Sequence, residues 1–340
     1  MKILVTGTQG YIGVVMASYL QTWGQQVTGI DTGFYTDGWL YDGVEPLENT
    51  VQKDIRKITM EDLQGFDAVI HLAELSNDPL GKLNPTITYE INHQGSVHLA
   101  QLCKQAGIER FVYASSCSVY GLGSDAYKTE ESEINPLTAY AECKAMVEQD
   151  VGAIADDSFS PTFLRNATAY GASPRIRFDV VLNNLAGMAW TTQKIGLTSD
   201  GSPWRPLVHI LDISQAFARV LDAPREVVHG QIFNVGATEE NFRVREIAQI
   251  VADVFPGCEL TIGKSDQDDR SYRVSFDKIK NQLPGFECQW TAQKGAEELY
   301  AVFESIKMKA ETFQFRAFTR LKQLQHLIAT QQINDHFYWK

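Results

Sequence analysis

Lys2-Ile3-Leu4-Val5-Thr6-Gly7-Thr8-Gln9-Gly10-Tyr11-Ile12-Gly13 opens the chain, and its reading decides the fold. Ile3, Leu4 and Val5 form an unbroken apolar run of the kind that a parallel sheet buries on both faces. The apolar residues beyond the turn, Ile12, Val15, Met16, Tyr19 and Leu20, recur at helical spacing. The stretch therefore reads as strand, glycine turn, helix. In such a turn Gly7 permits the tight bend, Gly10 lets backbone N–H groups approach a pyrophosphate, and Gly13 lets the helix pack closely on the strand. The helix N-terminus, opening at Tyr11 and Ile12, then faces the anion. Glycines alone only punctuate turns. The strand before them and the helix after them give these three their meaning.

A second apolar strand, Gln26-Val27-Thr28-Gly29-Ile30, ends in Asp31, about 20 residues beyond the glycines. An acid at that place accepts hydrogen bonds from both ribose hydroxyls and repels a 2′-phosphate, which favours NAD over NADP. The other role open to Asp31 is to begin the turn Asp31-Thr32-Gly33.

Further along, Asn135-Pro136-Leu137-Thr138 leads into the helical pattern Ala139-Tyr140-Ala141-Glu142-Cys143-Lys144-Ala145-Met146-Val147-Glu148, so Tyr140 and Lys144 share one face. A free tyrosine ionises near pH ~10, and serving as a base near neutrality requires lowering that value by about 3, worth roughly 4 kcal/mol. A fixed ammonium beside the phenol supplies part of this. Taken alone, the pair is also what an ordinary solvated helix carries. The distinction comes from Arg110-Phe111-Val112-Tyr113-Ala114-Ser115-Ser116-Cys117-Ser118-Val119-Tyr120-Gly121, an apolar strand running into hydroxyls. Functional groups of an open parallel sheet gather at the carboxyl ends of its strands. A serine there holds a substrate oxygen as its proton leaves.

With these elements on one chain, residues from Met1 to about Phe286 resemble the extended short-chain dehydrogenase/reductase family, in particular its nucleotide-sugar epimerases, dehydratases and reductases. The resemblance implies an α/β fold: a doubly wound parallel Rossmann sheet with a smaller interleaved substrate-binding lobe. It implies NAD as cofactor and a nucleotide-diphosphate sugar in the cleft between the lobes. It assigns catalysis to Ser116, Tyr140 and Lys144, with Ser118 as second choice for the hydroxyl. To the cofactor it assigns Gly7, Gly10, Tyr11, Ile12, Gly13, Asp31, Asp54, Ile55, Leu72, Ala73, Asn92, Tyr140 and Lys144. To the substrate it assigns Ser76, Asn77, Ser118, Thr168, Asn183, Arg205 and Arg270. Arg165 with Tyr170-Gly171 is similar to a further family segment.

Departures from the family pattern narrow the chemistry. Its 4,6-dehydratases carry an acidic pair directly after the catalytic hydroxyl, where this chain has Cys117-Ser118. That favours epimerisation, 4-epimerisation through a transient keto-sugar first, or carbonyl reduction and dehydrogenation, over dehydration. Thr168 stands where an epimerase asparagine is usual, and Glu74 where a small residue is usual. Glu74 either adds an acid to the site or faces outward. A silent dinucleotide-binding regulator would have lost Tyr140 or Lys144, and both are present.

The 340 residues, 44% of them hydrophobic, suffice for one large or two intimate domains. They divide into an NAD-binding part over 1–170 with a returning strand near 231–236, a mainly substrate-binding lobe over 171–312, and an amphipathic tail over 313–340. A net charge of −12 argues against a nucleic-acid surface. No run of membrane-spanning length and no signal-peptide core are visible, so no membrane partner and a cytoplasmic location are expected. The 5 cysteines are scattered and the 7 histidines lack ligand spacing, so no metal is expected. Cys143, next to Lys144, is a candidate reactive thiol. In the tail, Phe313, Phe315, Phe318, Leu321, Leu324, Leu327 and Ile328 recur at helical steps with Arg316, Arg320 and Lys322 between them, predicting one amphipathic helix. It packs on the protein's own body, makes a dimer contact or lies on a membrane surface, in that order of expectation, and a homodimer is expected.

Overall fold

The computed structural model describes residues 1–76, 84–264 and 271–340. Ile3, Leu4 and Val5 have no exposed surface. Their strand, β1 (Lys2–Thr6), lies inside a seven-stranded sheet with β2 (Gln26–Asp31), β3 (Thr50–Gln52), β4 (Ala68–His71), β5 (Arg110–Ser116), β6 (Ser160–Asn166) and β7 (Ile232–Val235). The strand order is β3-β2-β1-β4-β5-β6-β7, and every pairing is parallel. This is the doubly wound Rossmann arrangement. The order changes direction between β1 and β4, and ligands of such sheets bind outside the carboxyl ends of the strands at that point.

Each face of the sheet has its own core. On one, helix α1 (Tyr11–Thr22) packs Met16 and Leu20 with Ile213 and Phe217 of the helix Ile210–Asp222. On the other, helix α2 (Ala139–Ala153) packs Val147 and Val151 with Leu99 and Cys103 of the helix Ser96–Gln105. A third core, with Tyr170, Leu185, Ile247, Leu299 and Phe303, belongs to the second lobe, built on the helices Val181–Thr192, Val244–Val254 and Ala292–Ser305. A three-stranded sheet of Thr168–Tyr170, Trp204–His209 and Asn241–Arg243 joins the two lobes. Among the described residues no helix is long and apolar enough to cross a membrane.

The tail corrects the expectation of one helix. A short helix over Ala310–Gln314 is followed by a turn at Arg316–Phe318, helix α3 (Arg320–Ala329) and a closing bridge between Ile333 and Trp339. The physical reason is that its apolar residues serve two cores. Phe313, Phe315 and Phe318 pack in the second lobe, whereas Leu324, Leu327, Ile333 and Phe337 pack beneath the main sheet. The break lets one segment reach both. Arg320, read from the sequence as part of a polar face, is only 2% exposed.

Candidate active site

The turn after β1 has the shape its glycines suggest. Gly7 has φ +84°, in the left-handed region that favours glycine, and a Cβ on Gly13 would lie 2.0 Å from the Gly7 oxygen. No side chain fits there, so α1 packs directly against the turn, and its N-terminus, which opens on the cleft, is a place that suits a dinucleotide phosphate. Asp31 is anchored at both oxygens, accepting from Gln9 N at 2.9 Å and Gly33 N at 2.8 Å. Burial raises its carboxyl above the usual range. The turn is braced from β4: His71 Nδ1 lies 2.6 Å from Thr6 Oγ1 and its Nε2 lies 2.7 Å from Ser96 Oγ. Burial, helped by the charge of Lys144, pulls His71 down to about 3, so it is a neutral strut.

One continuous cleft of about 630 Å³ runs between the lobes. Gly7, Gly10, Tyr11, Ile12, Gly13, Asp31, Asp54, Ile55, Leu72 and Ala73 line it, and so do Ser76, Ser116, Ser118, Tyr140, Lys144, Thr168 and Arg205. Two of the expected residues do not line the cleft. Asn92 is wholly buried, its amide bonding the backbone N–H and carbonyl of Leu75, so it shapes the loop after β4 rather than facing the cleft. Asn183 is wholly buried as well, accepting from Gly171 N and donating to the Tyr11 hydroxyl; its neighbour Asn184 lines the cleft instead. The Tyr11 hydroxyl in turn donates to Gly171 O, so that side chain ties the lobes together. Asn77 and Arg270 lie outside the described residues.

Helix α2 begins where Thr138 accepts from Ala141 N, and this cap fixes Tyr140 and Lys144 in successive turns. Lys144 Nζ sits 5.5 Å from the Tyr140 ring centre and 4.6 Å from that of Tyr113. Of the two readings of Glu74, the inward one is observed. Its carboxylate is 2.6 Å from Lys144 Nζ and accepts from the Tyr113 hydroxyl. Lys144 also donates to Ala114 O. Burial is the largest single influence and disfavours its charge, but Glu74, joined by Tyr140 and Cys143, outweighs it and holds Lys144 above the ordinary lysine value. An ammonium has three donors. Glu74 and Ala114 engage two of them, and the third can serve a ligand in the cleft.

Ser116 Oγ accepts from Ser118 N at 3.1 Å, so its own proton is directed elsewhere, while Ser118 Oγ is buried with no hydrogen-bond partner among the described residues. Behind them Ser115 donates to Glu148, and Glu148 holds Arg165 through Nε at 3.0 Å and Nη2 at 2.6 Å. Arg165 also donates to the Tyr120 hydroxyl. This ion pair couples β5, β6 and α2, and so fixes the helix that carries Tyr140 and Lys144 against the sheet. Cys143 is no reactive thiol: it is buried, and burial pushes it up to about 12. His209 is buried too, stacked on Trp290 at 4.0 Å and 2.9 Å from Glu298.

Sequence reasoning missed a basic group in the cleft. Arg177 and Arg320 line it beside Tyr35 and Asp179. Arg177 pairs with Asp179 at 2.8 Å and donates to the Ser76 hydroxyl at 3.1 Å. The alternation Arg175-Ile176-Arg177-Phe178-Asp179 was the available signal for the first arginine; Arg320 gave none.

Moving a proton and a hydride at one alcohol carbon needs a dinucleotide and an acid–base group side by side, and a cleft built this way defines a dinucleotide-dependent enzyme. Residues 3–236 match the model of the NAD dependent epimerase/dehydratase family, so the chain belongs to that family of NAD-dependent enzymes. Among its relatives, the UDP-glucose 4-epimerase of Corynebacterium glutamicum is 28% identical over 269 residues, covering 75% of this chain and 80% of the relative. The UDP-glucose 4-epimerase of Bacillus subtilis is 25% identical over 334 residues, covering 88% and 95%. Among solved structures, an NAD-dependent NDP-hexosamine 5,6-dehydratase of tunicamycin biosynthesis superposes with a TM-score of 0.79 at 22% identity, over 91% of this chain and 99% of that one. The Thermotoga maritima UDP-glucose 4-epimerase, solved with UDP-glucose, gives 0.77 at 20% identity, over 91% and 100%. These two likenesses establish the fold.

Proposed function

We propose that the protein epimerises a nucleotide-diphosphate sugar at C4 through a transient 4-keto sugar. Bound NAD supplies the hydride acceptor and donor. Tyr140 takes the proton of the sugar hydroxyl, Ser116 hydrogen-bonds the same oxygen, and Lys144 favours the phenolate. Arg205, whose guanidinium donates to Trp204 O at 2.7 Å, is a cleft residue suited to the anionic diphosphate of the sugar nucleotide. The observation that carries the reading is the chemistry of the two residues directly after the catalytic hydroxyl. Cys117 is 1% exposed and donates to Arg165 O, and Ser118 brings only a hydroxyl to the cleft. No carboxylate stands there to expel water from C5 and C6. The second reading is a dehydratase with Glu74 as the acid, favoured by Glu74 lining the cleft. Its carboxylate, however, is committed to Lys144 and Tyr113.

Incubation of the purified enzyme with UDP-, GDP-, CDP- and dTDP-hexoses, followed by proton NMR, separates these outcomes. A C4-inverted product with no net NADH supports epimerisation. A 4-keto-6-deoxy sugar supports dehydration, and accumulating NADH supports a dehydrogenase. With NAD present, at least one of UDP, GDP, CDP and dTDP is expected to raise the melting temperature, since a ligand at about 100 times its Kd adds roughly 2.7 kcal/mol. If all four leave the melting curve unmoved, the substrate is not a nucleotide sugar.

A further inference from the structure

The tail grips the cofactor end of the cleft from outside. Thr32, Phe34, Tyr35, Asp54 and Ile55 line that end. Trp339 Nε1 donates to Thr32 O at 2.6 Å and its ring lies 5.7 Å from Phe34. Gln323 donates to Phe34 O at 3.0 Å, and Arg316 pairs with Asp37 at 2.6 Å. Arg56, which holds the Asp54 carboxylate, donates to His336 O at 2.9 Å and lies 3.9 Å from the Tyr338 ring centre. Every one of these tail residues lies beyond the part matched by the family model, which ends at residue 236.

From inside, the tail adds a charge. The Arg320 guanidinium stacks 4.2 Å over Tyr35, donates to the carbonyls of Ala317 and Arg175 at 3.2 Å each, and lines the cleft. The charged groups acting on it are Arg177, Asp179 and Asp31. Asp179 is paired with Arg177, Asp31 also faces Arg175, and Asp37, which faces Arg175 too, is paired with Arg316. Burial first and Arg177 second pull Arg320 down to about 10, the mark of a positive charge held without full compensation.

We propose that residues 316–340 form a cofactor clasp, in which Arg320 binds the diphosphate of NAD and the closing aromatic segment fixes the loops after β2 and β3 so that the cofactor stays bound between turnovers. The clasp concerns the cofactor alone and holds whichever sugar is processed. Calorimetry on the full-length protein tests the charge. Arg320→Gln is expected to weaken NAD and ADP binding by roughly 10- to 100-fold, the range of a hydrogen bond between charged groups, and to leave adenosine affinity unchanged. Equal losses for ADP and adenosine, or no loss in a folded variant, would overturn the diphosphate assignment. Because Arg320 is buried, Trp339→Ala, at a residue 39% exposed, gives an independent test of retention. It is expected to speed NAD release in stopped-flow displacement by about fivefold or more at an unchanged apo melting temperature. An unchanged release rate means the tail is no clasp.

Discussion

Tyr140→Phe is expected to lower kcat about 100-fold or more while NAD affinity changes by less than about threefold. The substitution removes one oxygen and keeps the ring, so the contacts of the ring in the cleft persist and Lys144 keeps Glu74 and Ala114. What disappears is the atom proposed to accept the substrate proton. The loss should appear equally in kcat and kcat/KM, because the phenolate oxygen acts in the transition state. Direct binding of NAD to the variant, measured alongside, separates this from a damaged site. Near-normal turnover on the true substrate would mean that another base operates, and Glu74 would be the first candidate.

Glu148→Ala is expected to destabilise the protein by about 3–5 kcal/mol in urea unfolding. The pair it breaks has side chains only 4% and 6% exposed. Arg165 would remain charged, because a guanidinium is not deprotonated in proteins, and its buried charge would be left without its acid. The Ser115 hydroxyl would lose its acceptor too. The double variant Glu148→Leu with Arg165→Met should recover most of the loss, since replacing both ions by apolar groups of similar volume is near neutral. A loss below about 1 kcal/mol in the single variant would show that the pair is hydrated and carries little.

What could be read from the sequence was whatever is local. Gly7, Gly10 and Gly13 act within one turn, Asp31 ends the next strand, and Tyr140 and Lys144 share a helix, so spacing alone puts each in its element. Apolar runs located β1, β2, β5 and β7 for the same reason. What could not be read depends on which distant surface a side chain meets. Glu74 comes after a strand whose end is visible in the sequence, yet its direction is set by Tyr113 and Lys144, on two other elements. Asn183 and Asn184 are chemically identical neighbours, and the rotation of one helix sends the first into the core and the second to the cleft. Arg320 has the spacing of a solvent-facing residue, and only the packing of α3 against Tyr35 turns it inward.

The layout of the cores bears on how this protein is made. Leu4 and Phe111 share a core with Leu324, Ile333 and Phe337, and β7 joins the sheet edge only after the chain has passed through much of the second lobe. Contacts so far apart in sequence close late. The glycine turn belongs to the first strand, but the hydrophobic floor beneath it is complete only once residues 324–337 have been added and packed. A cut before residue 324 therefore acts on the nucleotide-binding half from below, at a site whose own sequence lies far from the cut.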